Sequence, residues 1–146
     1  AGDKLSITIA PKGFGSENKS GVKMLVPADG VEGVKKAVME IVQHAGPNPC
    51  PPEVVGVGIG GTMDQAALLS KKALTRPIDQ RHAMPEYAKL ESELLEMINK
   101  TGIGPQLGGT TTALAVNVEW GATHIAGLPV AVTICCHALR HAHRVL

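Results

Sequence analysis

The sequence predicts an α/β layered domain with a mixed β-sheet, glycine-rich turns and flanking helices. Short apolar runs typical of strands alternate with longer amphipathic runs typical of helices along the 146 residues. Only three residues are aromatic, so Val, Ile, Leu, Ala and Met must form the core, and 17 glycines allow close backbone approaches. The length suffices for a core of its own, and we expect residues 1–146 to form a single domain.

Each predicted element follows from a local pattern of apolar residues. The first strand, residues 5–10, has apolar side chains at alternate positions and ends at the turn formed by residues 11–18. The other predicted strands cover residues 54–59, 113–120 and 128–135. The predicted helices, whose apolar residues recur on one face, cover residues 31–44, 64–74, 85–100 and about 137–146.

Composition and charge exclude several classes of function. The net charge is +1 without a block of like charges, so we expect binding neither to nucleic acid nor to an anionic membrane surface. No segment has the length and apolarity of a membrane span, and no signal peptide is visible. Three cysteines, two of them adjacent, do not form a disulfide framework, which indicates a reducing, cytoplasmic compartment.

Cys50 is the first candidate functional residue. Pro49 precedes it and Pro51 follows, which excludes Cys50 from a helix interior and removes backbone donors around it. The thiol is therefore carried on a rigid bend before a glycine-rich strand, where it is better placed for a ligand than for the core. Cys135 and Cys136 end an apolar run and face opposite sides of a strand, so at most one of them reaches a shared site. The alternative is that both are small buried hydrophobes.

The glycine-rich strand has two interpretations. Gly56-x-Gly58-x-x-Gly61 formally satisfies the dinucleotide-binding fingerprint, because a predicted helix follows it. The fingerprint also requires a full strand before the first glycine and an acidic residue at the end of a second strand, and both are missing. We therefore expect the glycines to allow another backbone or a bulky cofactor to approach closely.

Two other patterns leave alternatives open. His137 and His141 are four residues apart on the predicted last helix and could hold zinc, but the catalytic zinc motif has Glu where Ala138 stands, so a solvated basic helix end is the commoner explanation. The glycine-rich turns could form concavities for carboxylate or phosphate groups. A non-catalytic nucleotide- or anion-binding module is therefore the alternative from another functional class.

Several stretches together resemble the α subunit, or α region, of the class I iron–sulfur-dependent fumarate hydratase and L-tartrate dehydratase family. They occur in the family's order and cover nearly the whole chain, which corresponds to the C-terminal portion of that α subunit. The matching stretches are residues 10–18, 50–52, 58–65, 102–106, 123–132 and 136–137.

The resemblance implies a [4Fe–4S] cluster held by three cysteines, with one iron open to substrate. Cys50 and Cys136 fall on two of the ligand positions, and the third ligand belongs to a segment that precedes this chain in the family. Cys135 stands where the family has another residue, so we treat it as a bystander. His124 matches a histidine that lines the substrate pocket, and we expect it to be catalytic, with a structural role in its turn as the alternative.

The resemblance also implies a substrate-binding turn, a partner and a reaction. The turn Lys12-Gly13-Phe14-Gly15 matches one whose backbone contacts the substrate. The expected reaction is the interconversion of fumarate and (S)-malate, with L(+)-tartrate dehydration as the alternative. A β subunit or β domain supplies cationic residues and the proposed base. We expect an oligomer that acts on a dicarboxylate, and we expect the isolated chain to be inactive.

Overall fold

The computed structural model describes residues 2–146 as six strands and four α-helices. The strands are β1 (Ser6–Ile9), β2 (Gly21–Leu25), β3 (Glu53–Ile59), β4 (Ala113–Trp120), β5 (Leu128–Cys135) and β6 (Ala142–Val145). The helices are α1 (Phe14–Glu17), α2 (Gly30–Ala45), α3 (Met63–Ala73) and α4 (Pro85–Asn99), with a 3-10 turn at Pro27–Asp29. Among the residues described, no helix combines the length and apolarity that a bilayer crossing requires.

The main sheet is mixed, as the sequence predicts. Its four strands lie in the order β2-β5-β3-β4, with β3 parallel to β4 and β5 antiparallel to both β3 and β2. In the central pair, Val54 lies opposite Cys135 and Ile59 lies opposite Val130. The beginning of β3 and the end of β5 therefore meet at one end of the sheet. Strands β1 and β6 form a separate two-stranded ribbon whose residues are exposed.

Helices cover both faces of the main sheet and produce its layered architecture. The apolar faces of α2 and α4 pack with Val55, Val57 and other β-branched residues into the larger core. The opposite face carries α3, where Val54 packs with Leu74 in a smaller cluster. This alternation along β3 follows from the two-residue period of a strand. Because both faces are covered, every residue of β3 is buried.

The glycines of β3 lie against the backbone of α3. A Cβ atom on Gly58 would come within 2.0 Å of the Ala66 carbonyl oxygen, and one on Gly56 would come within 2.1 Å of the Ser70 carbonyl oxygen. The hydroxyl groups of Ser70 and Thr133 are hydrogen-bonded at 2.6 Å between helix and sheet. The expectation that these glycines allow close approach is confirmed, and the approaching group is a helix of the same chain.

A buried carboxylate fixes the segment between α3 and α4 to β4. Glu91 is fully buried, and its Oε1 accepts hydrogen bonds from Arg76 at 2.6 Å and from the backbone N–H of Val118 at 2.8 Å. Its Oε2 accepts from the backbone N–H of His82 at 3.0 Å. Arg76 also donates to the Val118 carbonyl oxygen. These partners compensate for the cost of burying the charge.

The structure confirms most of the predicted elements and corrects one of them. The strands β3, β4 and β5 and the three long helices lie within about two residues of their predicted bounds. The predicted helix at residues 137–146 is wrong, because Ala142–Val145 form β6, which pairs with β1. The sequence analysis also missed β2 and the short α1. Both lie between residues 14 and 25, where no regular repeat of buried apolar residues marks a helix or a strand.

Replacement of Gly58 by Ala should destabilise the fold. The new methyl group would clash with the backbone of α3, which cannot move away without separating from the sheet. We expect the free energy of unfolding to fall by about 1–3 kcal/mol, the usual cost of overpacking. Gly127→Ala is the matched control, because the space beside Gly127 is open. Urea unfolding measures both variants, and equal midpoints for the two would contradict the packing described here.

Candidate functional site

The two predicted cluster ligands lie at the same end of the main sheet. Cys136 follows the last residue of β5, and Cys50 lies three residues before the first residue of β3. The antiparallel pairing of these strands brings both segments together. His137 joins them directly: its backbone N–H donates to the Cys50 carbonyl oxygen at 3.5 Å, and its Nδ1 donates to the same oxygen at 3.0 Å. Cys50 and His137, 87 positions apart in sequence, are therefore in contact.

Cys50 has a backbone conformation that is uncommon for a residue with a side chain. Its φ angle is +63°, in the left-handed region, and its side chain is exposed. A conformation of this kind costs free energy and persists only where the surrounding structure enforces it. The prolines on both sides and the two hydrogen bonds from His137 provide that enforcement. The sulfur atom is consequently held on the surface, as the sequence predicts.

The adjacent cysteines have different environments. Cys135 is 1% exposed and packs with Val54, Leu74 and Ala115. Burial raises the pKa of the Cys135 thiol, and the neighbouring Cys136 raises it further, so Cys135 is held in the neutral form. Cys136 is partly exposed. Both cysteines line the cavity beside the Lys12 turn, but Cys136 is the more exposed of the two.

A cavity of about 310 Å³ connects the predicted substrate turn with Cys136. Its lining includes Lys12 and Gly13 from the turn and Cys135, Cys136 and Arg140 from the end of β5 and the segment after it. No atom lies within 4 Å of the position that a Cβ on Gly13 would occupy, so the turn presents open backbone there. The cavity has the size of a small-ligand site. The structure thus places one predicted ligand residue beside the turn predicted to contact the substrate.

Lys12 is held in place by its own neighbours. Its side chain is 15% exposed and contacts Ser16 Oγ and Glu17 Oε2, both at 3.0 Å. Glu17 also accepts from Lys71, and this hydrogen bond, followed by those of Lys12, keeps the pKa of Glu17 below its usual value. One carboxylate is thus shared between two ammonium groups. This cluster retains a net positive charge beside the cavity.

The other glycine-rich turn is occupied by the chain itself. The backbone N–H of Gly60 donates to the Pro129 carbonyl oxygen, and that of Gly61 donates to the Ala122 carbonyl oxygen. At the N-terminus of α3, the backbone N–H of Thr62 donates to Gln65 Oε1. These donors are not free to bind a phosphate, and α3 covers the preceding strand glycines. The geometry therefore argues against the dinucleotide interpretation and against an anion site at this turn.

His124 does not join the cysteines within one copy of the chain. It lies in the loop between β4 and β5, at the opposite end of β5 from Cys136, and β5 itself spans about 23 Å at 3.3 Å per residue. Its side chain is exposed, and its Nδ1 accepts from the backbone N–H of Ala126 at 3.1 Å. In the neutral imidazole, Nε2 therefore carries the proton and points away from the turn. Such a hydrogen bond would serve the structural role in the turn that is the alternative to a catalytic role for His124.

The arrangement proposed for zinc is not present. The predicted helix that placed His137 and His141 on one face is replaced by a turn and the ribbon strand β6. Within residues 2–146, no three His, Cys, Asp or Glu side chains form a group able to hold a metal ion. Cys50 and Cys136 have the thiolate chemistry that iron–sulfur clusters require. They would supply two of the three ligands that the family resemblance implies, and the third would come from outside these residues.

His137 was considered from the sequence as a zinc ligand and as part of the family match, whereas in the structure it fixes the Cys50 loop. Two other residues near the cysteines, Arg140 and Glu53, were not identified from the sequence. Arg140 lines the cavity and fell within the wrongly predicted helix. Glu53, at the start of β3, is fully buried, and neither carboxylate oxygen has a hydrogen-bond partner. Burial raises the pKa of Glu53 from its ordinary 4.5 to about 8. In the sequence, only the position of Glu53 between Pro51-Pro52 and the apolar strand indicates that it is buried.

Comparisons with known proteins identify the family of this chain. A family model described as fumarate hydratase (fumerase) matches residues 1–145. A protein of Methanocaldococcus jannaschii, provisionally named L(+)-tartrate dehydratase subunit alpha, is 54% identical over 140 residues, which are 95% of this chain and 49% of that protein. The L(+)-tartrate dehydratase subunit alpha of Escherichia coli UTI89 is 42% identical over 95% of this chain and 46% of its own length.

These similarities define the class of protein, an α/β domain related to the α subunits of dehydratases. The chain belongs to the fumarate hydratase family, which confirms the resemblance seen in the sequence. It spans about half the length of the curated relatives that it matches.

The buried carboxyl of Glu53 should make stability depend on pH. In the unfolded chain Glu53 loses its proton near pH 4.5, whereas the folded chain retains it to about pH 8. The unfolded state therefore binds fewer protons than the folded state in this range. The contribution of Glu53 to the free energy of unfolding consequently decreases as the pH rises, by at most about 1.4 kcal/mol per pH unit.

Glu53→Gln removes this titration. The free energy of unfolding of the wild type, relative to that of the variant, should decrease from pH 5 to about pH 8 in urea titrations and then level off. Comparison with the variant cancels the contributions of His and Cys residues. A constant difference over this range would contradict burial of the carboxyl.

Proposed function

We propose that this chain forms part of the α region of an iron–sulfur hydro-lyase that acts on a four-carbon 2-hydroxy dicarboxylate. The observation that carries the proposal is the position of Cys50 and Cys136 at one end of the sheet, with Cys136 lining a cavity beside the Gly13 turn. The family match and the names of the relatives support the same reaction class.

Cys50 and Cys136 would hold two corners of a [4Fe–4S] cluster, and a third cysteine from the part of the protein outside this chain would complete the ligand set. Three thiolates leave one iron without a protein ligand. When bound, such a cluster supplies a Lewis acid for the hydroxyl group that leaves the substrate. His137 fixes the Cys50 loop, and Cys135 stays buried as a neutral thiol.

The residues of this chain then bind and orient the substrate. Dehydration removes a proton beside a carboxylate and expels hydroxide from the neighbouring carbon. The positive charge around Lys12 favours an anionic substrate in the cavity, and the open backbone at Gly13 and Gly15 allows it to approach. Within residues 2–146, the lining of that cavity includes no carboxylate or histidine to act as a general base, which agrees with a base contributed by a β subunit or β domain.

His124 requires a separate explanation, because it lies at the far end of the sheet. We retain the prediction that it is catalytic, with the condition that its imidazole reaches a site built with another subunit or another copy of this chain. Its Nε2–H group, which points away from the turn, is the group available for that contact. An oligomeric enzyme with a β partner would satisfy this condition.

The relatives favour one of the two expected substrates. The family name points to fumarate and (S)-malate, whereas the relatives at 42% and 54% identity carry the name L(+)-tartrate dehydratase. The names of individual relatives describe a narrower group of proteins than the family name does. L(+)-tartrate is therefore the first substrate to assay, with (S)-malate as the second.

Substitution of Cys50 in the complete enzyme, including its β partner, tests the proposal. After anaerobic reconstitution with iron and sulfide, Cys50→Ala and Cys50→Ser should lose most of the bound iron and its visible absorption. Activity should fall by at least about 100-fold, because even outer-shell partners of metal ligands account for about 10–100-fold.

Cys135→Ala is the matched control, since it removes the neighbouring thiol, which is buried. We expect this variant to retain its iron. If both Cys50 variants bind as much iron as the wild type, Cys50 is not a ligand and the proposal is wrong.

A further inference from the structure

Two cationic side chains line the 310 Å³ cavity, and no carboxylate does. Lys12 reaches it from the turn before α1, and Arg140 reaches it from the segment between β5 and β6. The larger cavity that Arg140 also lines is different, because it contains Asp79 together with Arg76, whose guanidinium is already paired with Glu91 and Glu119. Within residues 2–146, the 310 Å³ cavity is lined by two cationic side chains and no carboxylate, so an anion is favoured there.

Arg140 has most of its hydrogen-bonding capacity available. Its Nη1 donates to the Ala138 carbonyl oxygen at 3.1 Å, a contact two residues away in sequence. Within residues 2–146 it forms no ion pair, whereas Lys12 is paired with Glu17 at 3.0 Å. A guanidinium group has five N–H donors in a planar fork that matches the two oxygens of a carboxylate. Arg140 is thus the uncommitted cation of this cavity.

We propose that Arg140 binds one carboxylate of the substrate and so selects dicarboxylates. The inference rests on the proposed function and adds a specificity-determining residue from this chain to the cationic residues expected from the β partner. Cys136 lines the same cavity, so a carboxylate held by Arg140 would lie beside the cluster position. The Lys12 ammonium group would contribute attraction at longer range, because Glu17 already holds it.

Two substitutions of Arg140 in the complete enzyme test this inference. Arg140→Met removes the charge and should raise KM for the dicarboxylate by about 10–100-fold, the usual contribution of hydrogen bonds to a charged group. Arg140→Lys retains the positive charge but loses the planar guanidinium group with its paired N–H donors. Compared with Arg140→Met, it should therefore restore only part of the affinity for the dicarboxylate. Iron content should match that of the wild type in both variants. Arg144→Met, on the exposed ribbon, is the control and should leave KM unchanged.

A second measurement does not depend on activity or on the folding of a variant. Phenylglyoxal modifies exposed arginines, and peptide mass spectrometry reports the extent at each site of the wild-type enzyme. Excess L(+)-tartrate or (S)-malate should slow modification of Arg140 several-fold and leave Arg144 unaffected.

The results separate this inference from the proposed function. Equal modification of Arg140 with and without dicarboxylate, or a wild-type KM in Arg140→Met, overturns the role of Arg140 even if the Cys50 variants lose iron. Retention of iron by the Cys50 variants overturns the cluster assignment instead, whatever Arg140 does.

Discussion

The antiparallel pairing of β3 with β5 is the constraint on which the candidate site depends. Each strand carries a cysteine just outside one end, and the register that places Val54 opposite Cys135 brings these ends together. His137 then fixes the bend at Cys50 through two hydrogen bonds to a single carbonyl oxygen. A shift of this register by one residue would turn every side chain of β5 to the other face and separate the two thiols.

The core was predictable from the sequence wherever burial makes apolar residues recur at the spacing of a helix or a strand. The inner strands are buried on both faces, and α2 and α4 bury one face, so their apolar residues repeat as the geometry requires. Strand β2 is an edge strand with exposed residues at its centre and carries no such pattern. Strand β6 pairs with β1, more than 130 residues away, and its His- and Arg-containing sequence gave no local sign of that partner.

The candidate site was predictable in its parts but not in its assembly. The prolines around Cys50 indicated an exposed thiol, and the family resemblance indicated Cys136 and the Gly13 turn. Only the register of the strands could show that Cys136 meets this turn, while His124 lies at the other end of the sheet. Arg140 was missed because it was assigned to a helix, where an exposed arginine is unremarkable.

The glycines of β3 illustrate how one pattern can serve two different structures. A phosphate site and a closely packed helix both require the absence of a Cβ atom, so the spacing of Gly56 and Gly58 could not distinguish them. The structure assigns both glycines to contact with α3, and the following turn uses its N–H groups within the chain. The part of the molecule that faces a ligand is therefore the end of the main sheet where Cys50 and Cys136 lie.

Thiol cross-linking of the metal-free chain tests the convergence of the two cysteines most directly. In a Cys135→Ala background only Cys50 and Cys136 remain, and dibromobimane bridges two thiols only when they lie within its short reach. The account predicts one intramolecular bridge between them, identified by peptide mass spectrometry and lost when the chain is unfolded in urea before labelling. Separate modification of each thiol in the folded chain, without a bridge, would contradict a shared site.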